Sequence, residues 1–325
     1  MCRAFSFPPK LHTDRDSSTD RDLCAVSAHD FGESRAMAIL NEPFVGSEAV
    51  INGAIRKHEL RSRYRTVFPD VYMSKGVVPS LYDRAKAAWL WSHREGVMVG
   101  LTASALHGAK WVDDDAPIEM LWRNTRAPQG MRTYDMRVPS TEYQAGPGFP
   151  MTTLARTGFD IGRRQPLDEA VARLDALGNA TGLSADDVLA VARSHRGARG
   201  LRRLEEALKL YDAGAASPKE TWLRLLVIRA GYPRPQTQIP VRSPDGLRQY
   251  YLDMGWPDMT LAVEYDGEQH RLDPREYAYD IRRSEDVAAL GWTRIRAVKA
   301  HSGADILRRL DRAWRSKLHT DREIS

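Results

Sequence analysis

The hydrophobic positions of this chain change period several times, and each change marks a boundary. Residues 1–36 show no period and are dominated by Asp, Arg, Ser and Thr, which predicts a disordered leader. Patterned sequence begins near "AILNEPF", so Met37 is a candidate translation start. From 37 to 110 the period is mainly helical. "GSEAVINGAIRKHELRSRYR" predicts short helices, and "TVFPDVYMS" predicts a small hairpin. In "SLYDRAKAAWLWSHREG", Leu81, Ala85, Ala88 and Trp89 recur at helical spacing behind Ser80, a candidate N-cap. "VGLTASALHGAKW" predicts a further short helix.

Between 116 and 155 the pattern turns to strands, "PIEMLW" and "RTYDMRVP", separated by Pro and Gly. Residues 160–213 return to helix. "PLDEAVARLDALG", "SADDVLAVARSHRG" and "GLRRLEEALKLYDAG" are each expected to begin on acids and stop at Gly. Arg156, Asp160 and Arg163 fall near helical spacing and predict buried or interfacial ion pairs. A linker, "DAGAAS", precedes the last segment.

That segment opens on a punctuated helix, with Ser217 at the N-cap, Pro218 at N1, Glu220 at N3 and Gly231 as the stop. Three strands follow, "QTQIPVR", "YYLDMGW" and "TLAVEYDG", then a helix, the strand "WTRIRAV" and a basic helix. The expected order is α-β-β-β-α-β-α. The fold class is α/β, α+β overall. The expected organisation is a leader at 1–36, a mainly helical domain at 37–110, a small α/β then helical segment at 111–215, and a final domain at 217–325.

Composition changes this picture little. The net charge of +5 permits an anionic partner such as nucleic acid. No apolar run approaches the roughly 20 residues that span a bilayer, and the N-terminus lacks a signal-type apolar stretch. Cys2 and Cys24 both lie in the leader and cannot make a zinc site alone. The expectation is a cytoplasmic protein without a membrane partner. "LHTDR" occurs at 11 and at 318, which makes no repeat architecture. There is no Gly-rich phosphate loop, Ser–His–Asp signature or zinc spacing.

The candidate chemistry lies in the final domain. Folding strands two and three about "PDMT" pairs Trp256 with Leu261 and sets Asp253 opposite Glu264. Asp266 shares the Glu264 face, while Leu261, Val263 and Tyr265 take the other. Directly opposed carboxylates repel unless a proton or cation sits between them, and a hard divalent ion, Mg²⁺ or Mn²⁺, suits such oxygen donors. The alternative is that these are edge-strand acids in water that discourage aggregation. Glu220 has its own alternative as the N3 member of a capping box. Asp280 and Arg283 lie one helical turn apart and would otherwise make a surface pair.

The stretches "SPKETWLRLLVIRAGYPRPQTQIPV", "YLDMGWPDMTLAVEYDGEQH", "DIRRSEDVAALGW" and "TRIRAV" resemble the restriction-endonuclease-like PD-(D/E)XK nucleases. More narrowly they resemble the very-short-patch-repair-type branch, over residues 217–300. The resemblance implies that Asp253 and Glu264 hold the metal, that Glu220 is a further ligand or orienting residue, and that His270 or Gln269 positions the attacking water with Asp266 assisting. It implies backbone contacts from Arg282, Arg283 and the last helix. One departure stands out: the motif's Lys position is Asp266, an acid.

In the N-terminal half, "RKHELRSRYR" carries Arg56, Lys57, Arg61, Arg63 and Arg65, a density suited either to gripping phosphates or to a solvated helix face. With "FVGSEAV", "YRTVFPDVYM", "AAWLW" and "LTASALHG" it resembles AbiEi-type antitoxins of type IV toxin–antitoxin systems. That resemblance implies a degenerate winged helix-turn-helix. The combined expectation is a metal-dependent DNA endonuclease with a DNA-binding N-terminal half. The alternative is a non-catalytic DNA-binding regulator or antitoxin on a vestigial nuclease fold. A toxin-like or other protein is the alternative partner of the N-terminal half.

Overall fold

The structure is a computed structural model and describes residues 41–123, 126–267 and 274–324, with side chains omitted at 274–277 and 320–324. The leader with Cys2 and Cys24, the start at Met37, and Gln269 and His270 lie outside the described residues.

The first part forms β1 (Phe44–Val45), α1 (Gly46–Ile51), α2 (Lys57–Arg63), β2 (Tyr64–Phe68) and β3 (Val71–Ser74). The hairpin expected from "TVFPDVYMS" is β2–β3, and β1 adds to it in the order β1-β3-β2. Ile55, Leu60 and Tyr64 form a small core beneath α1 and α2. α3 (Leu81–Trp91) starts at the Ser80 cap with Asp83 closing a capping box, and α4 (Gly100–Leu106) follows.

A five-stranded sheet comes next: β4 (Val97–Met98), β5 (Ile118–Leu121), β6 (Met131–Tyr134), β7 (Tyr143–Ala145) and β8 (Pro150–Thr152), in the order β6-β5-β4-β8-β7. The pattern foresaw β5 and β6. It missed β4, β7 and β8, which at two or three residues are too short to show alternation. One core runs from Phe68 and Val71 through Leu81, Ala88 and Met98 to Met151, so packing is continuous across residue 110.

The helical segment holds α5 (Leu154–Arg164), α6 (Leu167–Thr181), α7 (Ala185–Ser194) and α8 (Leu201–Leu210). α5 begins at 154, six residues before the helical expectation, because the Thr153 side chain caps Arg156 N. Gly178 was expected to end α6. Instead the helix runs on to Thr181 and stops at Gly182, whose φ is +70°. Gly178 is buried within it against the Tyr211 ring, so closely that a Cβ there would overlap the ring. α8 carries no acid in its first turn, contrary to expectation. Arg156 and Asp160 are buried and ion-paired at 2.9 Å, with Arg163 donating to Asp160 at 2.7 Å. That network also takes in Glu142, which accepts from Arg156 and from His195 Nε2.

The final segment has the expected order: α9 (Pro218–Arg229), β9 (Gln236–Arg242), β10 (Gln249–Trp256), β11 (Leu261–Tyr265), α10 (Pro274–Ala289), β12 (Thr293–Ala297) and α11 (Gly303–Ile324). Its sheet runs β12-β11-β10-β9, antiparallel except for the β11–β12 pair. Helices cover both faces. Leu223 and Val227 of α9 and Ile306 and Leu310 of α11 pack with Met254, Leu261, Val263 and Ile295. On the opposite face Val287 of α10 packs with Tyr250, Leu252 and Ala262. The 212–217 linker is tightly held, since buried Arg224 of α9 reaches buried Asp175 of α6 at 2.7 Å.

Candidate functional site

The sheet register sets Trp256 against Leu261, Gly255 against Ala262 and Met254 against Val263, the pairing expected from the turn. Continuing it places Asp253 across from Glu264. Both β10 and β11 are interior strands of the sheet, which overturns the edge-strand reading of these acids. A carboxylate there has neighbours on both sides and little water.

Leu252 packs on the α10 side and Met254 on the α9 side, although residues two apart in a regular strand share a face. The strand therefore turns over at Asp253. Gln238, the residue facing that position on β9, has φ +47°, in the left-handed region. The turnover explains why one carboxyl senses acids on both sides of the sheet. Burial pushes the Asp253 carboxyl up to about 7, reinforced by the charges of Glu220 from α9 and Glu264 from β11. The Tyr265 N–H, donating to Oδ2 at 2.8 Å, opposes the shift.

Glu264 is 5% exposed and both its oxygens are engaged. Arg283 Nη2 of α10 donates to Oε1 at 2.5 Å, and Arg294 Nη1 of β12 donates to Oε2 at 3.0 Å. Asp266 accepts from Arg296 Nη2 at 2.9 Å, and the same nitrogen reaches Asp280 at 3.0 Å. The expected Asp280–Arg283 surface pair is thus replaced by two partnerships with the sheet. Both side chains lie on the helix face that covers β11 and β12, where deeper partners outcompete a solvated one. Arg283 also donates to the Tyr251 carbonyl at 2.8 Å, so its guanidinium is bound internally. Arg282 is exposed.

Glu220 is the N3 residue of a cap. Its oxygens accept from Ala216 N and Ser217 Oγ, each at 2.9 Å, while Ser217 Oγ accepts from Glu220 N at 3.2 Å. Burial raises its carboxyl above the usual range against these hydrogen bonds. The side chain thus serves the helix start, though it accepts from the Ala216 N–H and the Ser217 hydroxyl where a full capping box would take the Ser217 N–H.

Magnesium would require Asp253, Glu264 and Glu220 to turn oxygens toward one point. Glu264 and Glu220 have theirs committed, and among the described residues no group of three or more Asp, Glu, His or Cys side chains converges to hold a metal ion. The donor set does not fit a divalent cation in this arrangement. Neither Asp253 nor Glu220 has a cationic side chain at ion-pair distance among the described residues.

Arg294 and Arg296 are the site residues that sequence reasoning missed. The signal was present in "TRIRAV", where two arginines alternate with apolar residues and so share one face of β12. Only the parallel pairing of β12 with β11 brings that face to Glu264 and Asp266.

In the N-terminal patch Arg56, Lys57, Arg61 and Arg63 are exposed, and Arg63 makes a long 3.7 Å pair with Glu59. Arg65 is half-buried and donates to the Val77 carbonyl, which removes it from the exposed group. Lys75, which the sequence reading did not single out, joins the patch by donating to the Arg61 and Ser62 carbonyls at 2.7 and 3.1 Å. No helix among the described residues is long and apolar enough to cross a membrane.

No family model matches the chain. It is 28% identical over 242 residues to the uncharacterized protein Rv2248 of Mycobacterium tuberculosis, covering 72% of this chain and 89% of that protein. Among solved structures, the crystal structure of the RV2827C protein from Mycobacterium tuberculosis covers 67% of this chain and 89% of its own, at 13% identity and a TM-score of 0.37. A likeness that slight carries no argument about fold or activity.

Proposed function

We propose that this protein is a non-catalytic DNA-binding regulator whose C-terminal domain keeps a restriction-endonuclease-like arrangement without its metal chemistry. One observation carries the reading: both oxygens of Glu264 are held by the guanidinium groups of Arg283 and Arg294. Two arginines neutralise the acid that the nuclease motif would give to a cation. The Lys position is filled by Asp266, itself paired with Arg296. The exposed cations Arg56, Lys57, Arg61 and Arg63 would supply phosphate contacts.

A specific observation favours a second reading, a Mg²⁺-dependent endodeoxyribonuclease. Asp253 is an acid raised to about 7 beside two other carboxylates, the type of perturbed group that marks reactive sites. In that reading Asp253 and Glu264 hold the ion once Arg283 has moved away. DNA binding and nicking of supercoiled plasmid with Mg²⁺ or Mn²⁺ test the two readings. The regulator reading expects wild type, Asp253→Ala and Glu264→Ala to bind DNA and none to cut. Metal-dependent nicking by wild type that both substitutions abolish would replace it with the nuclease. A wild type that neither binds nor cuts DNA overturns both.

A further inference from the structure

The corner between α7 and α8 concentrates positive charge more than any segment discussed above. Residues 188–204 contain five arginines, Arg193, Arg196, Arg199, Arg202 and Arg203, together with His195 and no Asp or Glu. The whole chain has a net charge of +5, so outside this corner the positive and negative charges balance. All five arginines are exposed. Arg203 donates to the Gln165 carbonyl at 3.3 Å, a contact within the fold. No ion pair holds Arg193, Arg196, Arg199 or Arg202 among the contacts of the described residues.

The fold gains little from this arrangement. Five like charges within eleven residues repel one another. Arg202 and Arg203 lie in the first turn of α8, where the helix macrodipole disfavours cations, and no acid offsets them. Yet the corner is rigidly built. His195 Nε2 lies 2.7 Å from Glu142 Oε1, and the imidazole packs 5.4 Å from the Phe159 ring. Ala198 N donates to the His195 carbonyl at 2.9 Å. Gly200 has φ +87°, and a Cβ there would strike the Arg163 carbonyl, so the turn sits directly on the end of α5. A preorganised platform lowers the entropy lost when its side chains engage a ligand.

The composition selects the ligand. Every cation in the stretch apart from His195 is arginine, whose planar fork matches phosphate oxygens. No large hydrophobic residue is exposed within it, which leaves neither an anchor for a protein interface nor a residue to insert into a bilayer. We propose that the α7–α8 corner is a contact surface for the phosphodiester backbone of a nucleic acid, with Arg193, Arg196, Arg199 and Arg202 touching phosphates. This rests on the nucleic-acid-binding reading above and adds a surface distinct from residues 56–65 and from the C-terminal domain.

The test measures fluorescence anisotropy of labelled duplex DNA, single-stranded DNA and duplex RNA with the full chain across a potassium chloride series. Two combined variants are compared with wild type. One carries Arg193→Gln, Arg196→Gln, Arg199→Gln and Arg202→Gln, and the other carries Arg56→Gln, Lys57→Gln, Arg61→Gln and Arg63→Gln. For duplex DNA, the log–log salt slope of the corner variant is expected to fall in magnitude by about 0.9 per contacting arginine, so by up to ~3.6. Four Arg→Lys changes at the same positions should keep most of that slope. The nucleic acid that loses most affinity identifies the backbone form preferred. If only the 56–65 variant weakens binding, the inference fails and the DNA-binding reading stands. If only the corner variant does, the inference stands and the N-terminal assignment fails. A wild type that binds no nucleic acid overturns both. Phenylglyoxal modification of wild type gives a readout free of folding effects: bound duplex should protect the four corner arginines, and equal labelling with and without duplex would overturn the proposal.

Discussion

Arg294 Nη1 donates to Glu264 Oε2 at 3.0 Å although the two residues are not register partners. The parallel β11–β12 register pairs Glu264 with Arg296, and Arg294 with Ala262. Ala262 and Glu264 point to the same side of the sheet, so Arg294 reaches diagonally along it. Both side chains are nearly fully buried, at 9% and 6% exposure. A buried ion pair contributes little beyond what a well-packed apolar pair would, but losing Arg294 leaves buried Glu264 with Arg283 as its one remaining guanidinium partner among the described residues. Arg294→Met should therefore lower unfolding stability by about 3 kcal/mol. Combining it with Glu264→Met should cost less than the sum of the two single changes. Urea denaturation checks this, and strictly additive effects would deny the coupling.

Asp253 gives the protein a distinct pH dependence. Burial, reinforced by the charges of Glu220 and Glu264, pushes its carboxyl in the folded protein up to about 7, well above the usual carboxylate range. A carboxyl raised on folding stays protonated in the native state while the unfolded chain ionises. Its contribution is thus fully present below about pH 4 and is lost as pH rises toward 7. Asp253→Asn removes that proton linkage. The melting temperature of the variant relative to wild type should rise steadily between pH 4 and 7 and level off above it. A difference that stays flat over that window would show that Asp253 titrates normally.

Arg224 and Asp175 fasten the helical segment to the C-terminal domain. Arg224 also donates to the Leu210 carbonyl at 2.5 Å, and Asp175 accepts from Thr221 Oγ1 and from Asp212 N, each at 2.7 Å. Arg224→Ala strips a buried carboxylate of its counter-charge and orphans a carbonyl, so a loss of about 3–5 kcal/mol is expected. Limited proteolysis should also show faster cleavage within residues 212–217. Unchanged stability and cleavage would mean that apolar contacts alone hold the two segments together.

Gly178→Ala separates propensity from packing. Alanine favours an exposed helix interior by about 1 kcal/mol over glycine. Here the new Cβ would overlap the ring and hydroxyl of Tyr211, which donates to the Leu183 carbonyl at 2.7 Å. Overpacking of this kind costs about 1–3 kcal/mol, so the substitution should destabilise the protein. Thermal unfolding decides the sign, and pairing the change with Tyr211→Ala should relieve the overlap.

The sequence by itself determined the elements whose signals are local. Ser80 and Ser217 mark helix starts because their hydroxyls satisfy the first free amides of the helix, and no distant residue is needed for that. The "PDMT" turn fixed the pairing of Trp256 with Leu261, and so the juxtaposition of Asp253 and Glu264, because a short turn leaves a strand pair little freedom of register. The Arg156–Asp160–Arg163 pairing was legible from helical spacing alone. Tertiary structure decided what those acids touch. Arg294 and Arg296 lie about thirty residues from Glu264 and Asp266, and only the parallel crossover through α10 joins them. The turnover of β10 at Asp253 depends on packing of the sheet against helices on both faces. The close packing of Tyr211, far along the chain, against Gly178 is likewise tertiary. A local pattern places a charge on a surface, but whether a guanidinium, a proton or a metal ion neutralises it depends on side chains that the chain path brings together.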